Sequence, residues 1–167
     1  MGLFGSKKKQ EMKAREREMA EYDRQKAQEN RVLNEMAKQY AKAGELVSGE
    51  RVLLCGKAMF TNMVFNDYVK NGAQKVEMLP LLTMEPDAIL AKCEAFQPTL
   101  LILTCEVPEL PTFAEQIARN YPALKIVASA ANPEALPYAQ AKLEASHVSA
   151  VLPTPCSVQQ FIEAMER

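Results

Sequence analysis

From Arg51 onward, short apolar runs alternate with segments of helix length; before it lies a long polar stretch of a different kind. Residues 51–55 (RVLLC), 75–79, 100–104 (LLILT), 125–129 (KIVAS) and 150–152 read as strands, several of them apolar throughout. Strands of that kind are covered on both faces. Residues 61–71, 86–96, 112–120, 133–145 and 157–166 read as the helices that follow them. Five βα units predict an α/β fold with a parallel sheet. Right-handed crossovers favour a flavodoxin-like, doubly wound order 2-1-3-4-5, with 100–104 as the central strand. The ligand crevice of such a sheet lies at the carboxyl ends of strands 1 and 3, which places Cys55, Gly56, Thr104 and Cys105 there.

Residues 8–47 contain no Pro, and Gly44 is their only Gly. They are rich in Glu, Lys, Arg, Gln, Ala and Met, which predicts a long helix. Glu11 with Arg15 and Glu21 with Arg24 add acid-before-base pairs on its surface. From Leu33 the apolar spacing is 3-4-3-4 through Met36, Tyr40, Ala43 and Val47, one face over about two heptads. Upstream, Met12, Met19 and Tyr22 continue it sparsely, and Lys26 and Glu29 interrupt it. Two outcomes fit this stripe: packing on the chain's own α/β domain, or a coiled coil with a second copy or another protein. Ser48-Gly49-Glu50 ends the helix, since Gly is common just past a helix end. The organisation expected is a charged helical arm over 1–48 and an α/β domain over 49–167.

A net charge of -1 gives no global push toward nucleic acid or an anionic membrane. No apolar run approaches the roughly 20 residues of a membrane span. The N-terminus turns Lys-rich after Phe4, without the apolar core of a secretory signal. Four cysteines without a CxxC, beside a single His, lack zinc-ligand spacing and read as reduced, buried thiols. The cytoplasm is the compartment these features suggest. Met1–Ser6 fits the N-myristoylation pattern, with Lys7-Lys8-Lys9 as a basic second signal and a transient lipid contact as an intermediate case. The alternative there is a disordered, solubilising start.

Several local signatures carry a family resemblance. Residues 97–108 (QPTLLILTCEVP), 120–127 (NYPALKIV) and Leu143-Glu144-Ala145, set within five βα units, resemble the receiver domain of two-component response regulators over residues 50–167. The resemblance implies two acids after strand 1 to hold Mg²⁺, a phosphoryl-accepting Asp at the end of strand 3, a Ser or Thr after strand 4, and a Lys after strand 5. Here the acids fall on Cys55 and Gly56, the acceptor on Thr104, and the Lys within Pro153-Thr154-Pro155, while Ser129 keeps the hydroxyl and Ala150 stands at the aromatic switch position. Mg²⁺ prefers hard oxygen ligands, usually carboxylates, and a Thr hydroxyl needs a base to become nucleophilic. The expectation is a degenerate pocket of Cys55, Gly56, Thr104, Ser129 and Thr154, without metal or cofactor, in a non-catalytic adaptor. Partner surfaces would then be the N-terminal stripe and, by resemblance, the face carrying Tyr138, Lys142, His147, Gln159, Gln160 and Glu163. A lone loop His such as His147 is more often inert than functional.

A competing enzyme reading starts from residues 55–61 (CGKAMFT), where a Cys ends a strand before a helix N-terminus. That arrangement resembles the B subunit of sugar phosphotransferases, and a helix N-terminus lowers a thiol pKa and attracts anions. The loop has a single Gly, however, and lacks the Arg that a phosphatase-type loop needs. There is no GxGxxG, P-loop or cobalamin-binding Asp-x-His-x-x-Gly.

Overall fold

The five apolar runs are strands β1 (Arg51–Gly56), β2 (Lys75–Pro80), β3 (Leu100–Cys105), β4 (Lys125–Ala130) and β5 (Ala150–Pro153). They form one sheet in the order β2-β1-β3-β4-β5, parallel throughout, with β3 at its centre. Each runs one residue beyond the expected end. The computed structural model describes residues 2–56, 59–81, 85–105, 110–130 and 148–166, and the helix expected over 133–145 lies outside them. The helices are α1 (Gly2–Leu46), α2 (Met59–Val69), α3 (Pro86–Phe96), α4 (Leu110–Asn120) and α5 (Val158–Glu166). Among the described residues, no helix is long and apolar enough to cross a membrane.

Local chemistry sets several boundaries. Pro86 opens α3 where its missing N–H costs nothing, and Gln97 closes it in the left-handed conformation, its backbone N–H donating to the Cys93 carbonyl. Ser157 and Gln160 cap α5 reciprocally: the Gln160 N–H donates to Ser157 Oγ (3.1 Å) and the Ser157 N–H to Gln160 Oε1 (2.9 Å). Gly49 follows the turn after α1 with φ 77°. At the other end α1 begins at Gly2, so the first residues are helical and not a disordered start.

Strand alternation sorts the core into two layers. Leu53, Cys55, Leu101, Leu103, Ile126 and Ala128 pack with Ile89, Cys93 and Phe96 of α3 and Phe113, Ala114 and Ile117 of α4. Val52, Leu54, Ile102, Val127 and Leu152 pack with α2, α5 and the last turns of α1. The chain divides into compact units at residues 1–38 and 39–167. The domain thus takes in residues 39–48, which the sequence pattern grouped with the arm. Ala43 and Val47 are fully buried in the second layer, Tyr40 packs against it, and Lys42 pairs with Glu166 at 2.6 Å. Gly44 and Gly72 meet backbone to backbone, so closely that a Cβ on Gly72 would stand 1.7 Å from the Gly44 carbonyl oxygen.

Candidate functional site

Gly56, Thr104 and Ser129 are successive Cα partners across β1, β3 and β4, at the carboxyl edge of the sheet. By alternation they share the side carrying Leu54, Ile102 and Val127, the side covered by α2 and α5. Cys55 lies on the opposite side, fully buried beside the α3 and α4 residues. The structure therefore brings Gly56, Thr104, Ser129 and Thr154 together and leaves Cys55 out of the group.

Gly56 sits at φ 156°, and a Cβ there would lie 2.1 Å from the Thr104 carbonyl oxygen and 2.9 Å from Thr104 Cβ. At that φ the Cβ position is aimed at β3, so only hydrogen fits there, which the strand pattern could not reveal. Thr104 is buried and its hydroxyl has no hydrogen-bond partner among the described residues. Ser129, also buried, donates to the Pro153 carbonyl (3.3 Å) and stands 2.6 Å from the Thr154 hydroxyl. Among the described residues, the carboxyl edge of β1, β3 and β4 thus presents small hydroxyls and a glycine. Among the described residues, no cluster of three or more His, Cys, Asp or Glu side chains could hold a metal.

The first turn of α2 adds a feature that the sequence pattern did not bring out. Thr61 and Asn62 are buried, while Met59, Phe60 and Met63 are exposed, Phe60 by 80%. Asn62 lies one turn before Phe65 on the inward face, at the end of the layer where Thr104 and Ser129 stand. Neither polar atom of its amide has a hydrogen-bond partner among the described residues. The signal was available: Phe65, Tyr68 and Val69 define the inward face, and stepping back one turn lands on Thr61 and Asn62.

Burial pushes the Cys55 thiol up to about 12, with the neighbouring Cys93 adding to the effect. A thiol so placed stays protonated at neutral pH, the reverse of an activated nucleophile.

No family model and no curated protein matches the chain. Solved structures do. The receiver domain of a Bacteroides fragilis two-component response regulator superposes with a TM-score of 0.58 at 17% identity, over 70% of this chain and 93% of that one. The fold is that of a response-regulator receiver domain. The receiver domain of an HD domain-containing protein from Pseudomonas fluorescens Pf-5 agrees equally well (TM-score 0.58, 15% identity, 71% of this chain and 92% of that one). A yeast Spc42 trimeric coiled-coil segment, amino acids 181–211, fused to another structure, matches with a TM-score of 0.56 at 20% identity, over 72% of this chain and 78% of that one.

Of the surfaces expected on this receiver fold, Tyr138, Lys142 and His147 lie outside the described residues. Gln159 and Glu163 are exposed on α5, their side chains joined by a 3.3 Å hydrogen bond, while Gln160 is committed to the helix cap. The apolar stripe of α1 divides. Ala43 and Val47 are consumed by the domain core and Tyr40 is partly covered, whereas Leu33 and Met36 are exposed.

Proposed function

We propose that this chain is a receiver-like adaptor, without phosphoryl chemistry, that works by binding protein. The observation that carries this reading is the contact between Gly56 and Thr104: where a working receiver would hold a Mg²⁺-binding carboxylate, there is no room for any side chain. Thr104 and Ser129 are neutral hydroxyls, and a hydroxyl without a neighbouring base is a weak nucleophile. The burial of Cys55 and its raised pKa favour the adaptor over a Cys-dependent phosphocarrier.

Binding then falls to surfaces, and the exposed apolar positions of α1 (Met12, Met19, Tyr22, Leu33 and Met36) are the strongest candidates. Such a stripe is the form that helix-to-helix recognition takes, and one structural neighbour carries a trimeric coiled-coil segment of yeast Spc42 fused to another structure. Free Cys55, Cys93 and Cys156 suit work in the reducing cytoplasm.

Incubating the full chain with Mg²⁺ and a small acyl-phosphate donor tests the reading. The intact mass is expected to stay unchanged. A phosphoryl adduct on Thr104, Ser129 or Cys55 would overturn the proposal.

A further inference from the structure

In α1, Met19, Lys26 and Leu33 repeat every seven residues, as do Tyr22, Glu29 and Met36, and together they form one stripe along the helix. Four of these six are apolar side chains at least 44% exposed. The other two, Lys26 and Glu29, are opposite charges at the middle of the stripe. All six belong to the unit of residues 1–38, so their use leaves the domain core intact.

We infer that this stripe binds a second copy of the same helix, antiparallel, with the two-fold axis passing between residues 27 and 28. In that register Met19 faces the partner's Met36, Tyr22 faces the partner's Leu33, and Lys26 faces the partner's Glu29. Each layer is then repeated by symmetry on the other side of the axis. The charges decide the orientation. A parallel pair in register would set Lys26 against the partner's Lys26 and Glu29 against the partner's Glu29, and would bring Glu18 beside the partner's Asp23 across the flank. Only the antiparallel arrangement turns both central layers into attractive pairs. A polar layer in a coiled-coil seam weakens the pairing but selects its register, which accounts for charges interrupting an otherwise apolar face. The inference rests on the reading of α1 as the binding element.

Sedimentation equilibrium of the full chain tests it. The native protein is expected to be a dimer. Lys26→Glu and Glu29→Lys, each placing like charges in both central layers, should each raise the dissociation constant about tenfold or more. The double variant K26E/E29K should recover the native value, because the pairs re-form with reversed sign. These positions are exposed on the helix, and circular dichroism checks that helix content is kept. A monomeric native protein, single variants without effect, or a double variant no better than the singles would each overturn the proposal. Orientation is read separately: mixing Met19→Cys and Met36→Cys chains under mild oxidation should give the mixed disulfide, and a Met19→Cys homodimer in its place would overturn the antiparallel register. The phosphoryl-donor experiment is independent of these outcomes, so loss of the dimer and loss of the adaptor reading are distinguishable.

Discussion

The clash that any Cβ on Gly56 would make with Thr104 turns glycine into a structural requirement at the end of β1. With a Cβ 2.1 Å from a backbone oxygen, the clash is with the strand itself and not with a side chain free to rotate away. Gly56→Ala should therefore lower stability by about 2–4 kcal/mol, as overpacking and an unfavourable φ add together. Thr104→Val is the contrasting change. It removes a buried hydroxyl that has no partner while keeping the side-chain shape, and it should leave stability unchanged or raise it by about 1 kcal/mol. Urea unfolding of both variants checks the pair, and a Thr104→Val loss as large as that of Gly56→Ala would show that the hydroxyl has a partner. Counting strand ends found Gly56, Thr104 and Ser129 but also drew in Cys55, which faces the other layer. The backbone turn at Gly56 was not legible, since strand counting does not report a φ of 156°. Asn62 was missed for a related reason. It went unremarked because the phase set by Phe65, Tyr68 and Val69, which places it inward, was not carried back to the first turn of α2.

At the scale of elements, a single 3-4 spacing ran from Leu33 to Val47, and the structure divides it between two uses. Periodicity reports which face of a helix is apolar but not what covers that face. Here the cover begins near Tyr40, where the ring lies 5.6 Å from that of Tyr68, and continues through Ala43 and Val47. The Gly44–Gly72 contact lets the end of α1 sit directly on the backbone after α2, an approach larger residues would prevent. Gly44 was visible only as the one glycine of its segment, and its meeting with Gly72 was not visible at all. A shortened chain starting at residue 39 should accordingly unfold at the same urea concentration as the full chain when both are dilute. Starting at residue 49 removes Ala43 and Val47 from the layer over Val52 and Leu54, and should cost about 2–5 kcal/mol or prevent folding. Equal stability of the two shortened chains would mean that residues 39–48 contribute nothing to the core.

Across the whole molecule, the titratable groups most shifted by folding are acids kept neutral by burial, and they occupy both layers of the core. Cys55 and Cys93 lie on the side of α3 and α4, while Tyr68 and Cys156 lie on the side of α2 and α5. Burial comes first among the causes for all four, and it pushes Cys55, Tyr68 and Cys156 up to about 12 and Cys93 to about 11. Tyr68 also donates its hydroxyl hydrogen to the Cys156 carbonyl at 2.6 Å, a bond that requires the neutral phenol. The sequence supported buried, reduced thiols from their apolar flanks but placed Cys55 in the crevice, whereas the structure puts it in the layer on the other side of the sheet. Because the folded-state pKa values lie above the ordinary 9.0 of a thiol and 10.0 of a phenol, the unfolded chain releases these protons first. Their stabilising contribution is thus complete below pH 9 and lost as pH rises toward 11 or 12. On the acid side, half-buried Glu77 is lowered by its hydrogen bond to Lys92, and its small contribution is lost as pH falls through the carboxylate range. Urea midpoints measured in reducing buffer should change little between pH 6 and 8.5 and then decline. The slope should approach about 1.4 kcal/mol per pH unit for each group that ionises only on unfolding. Thiol alkylation should follow the same course, slow at neutral pH and accelerating as the fold opens. Rapid labelling of Cys55 in the folded protein at pH 7 would contradict both its place in the core and the absence of thiol chemistry from the proposed function.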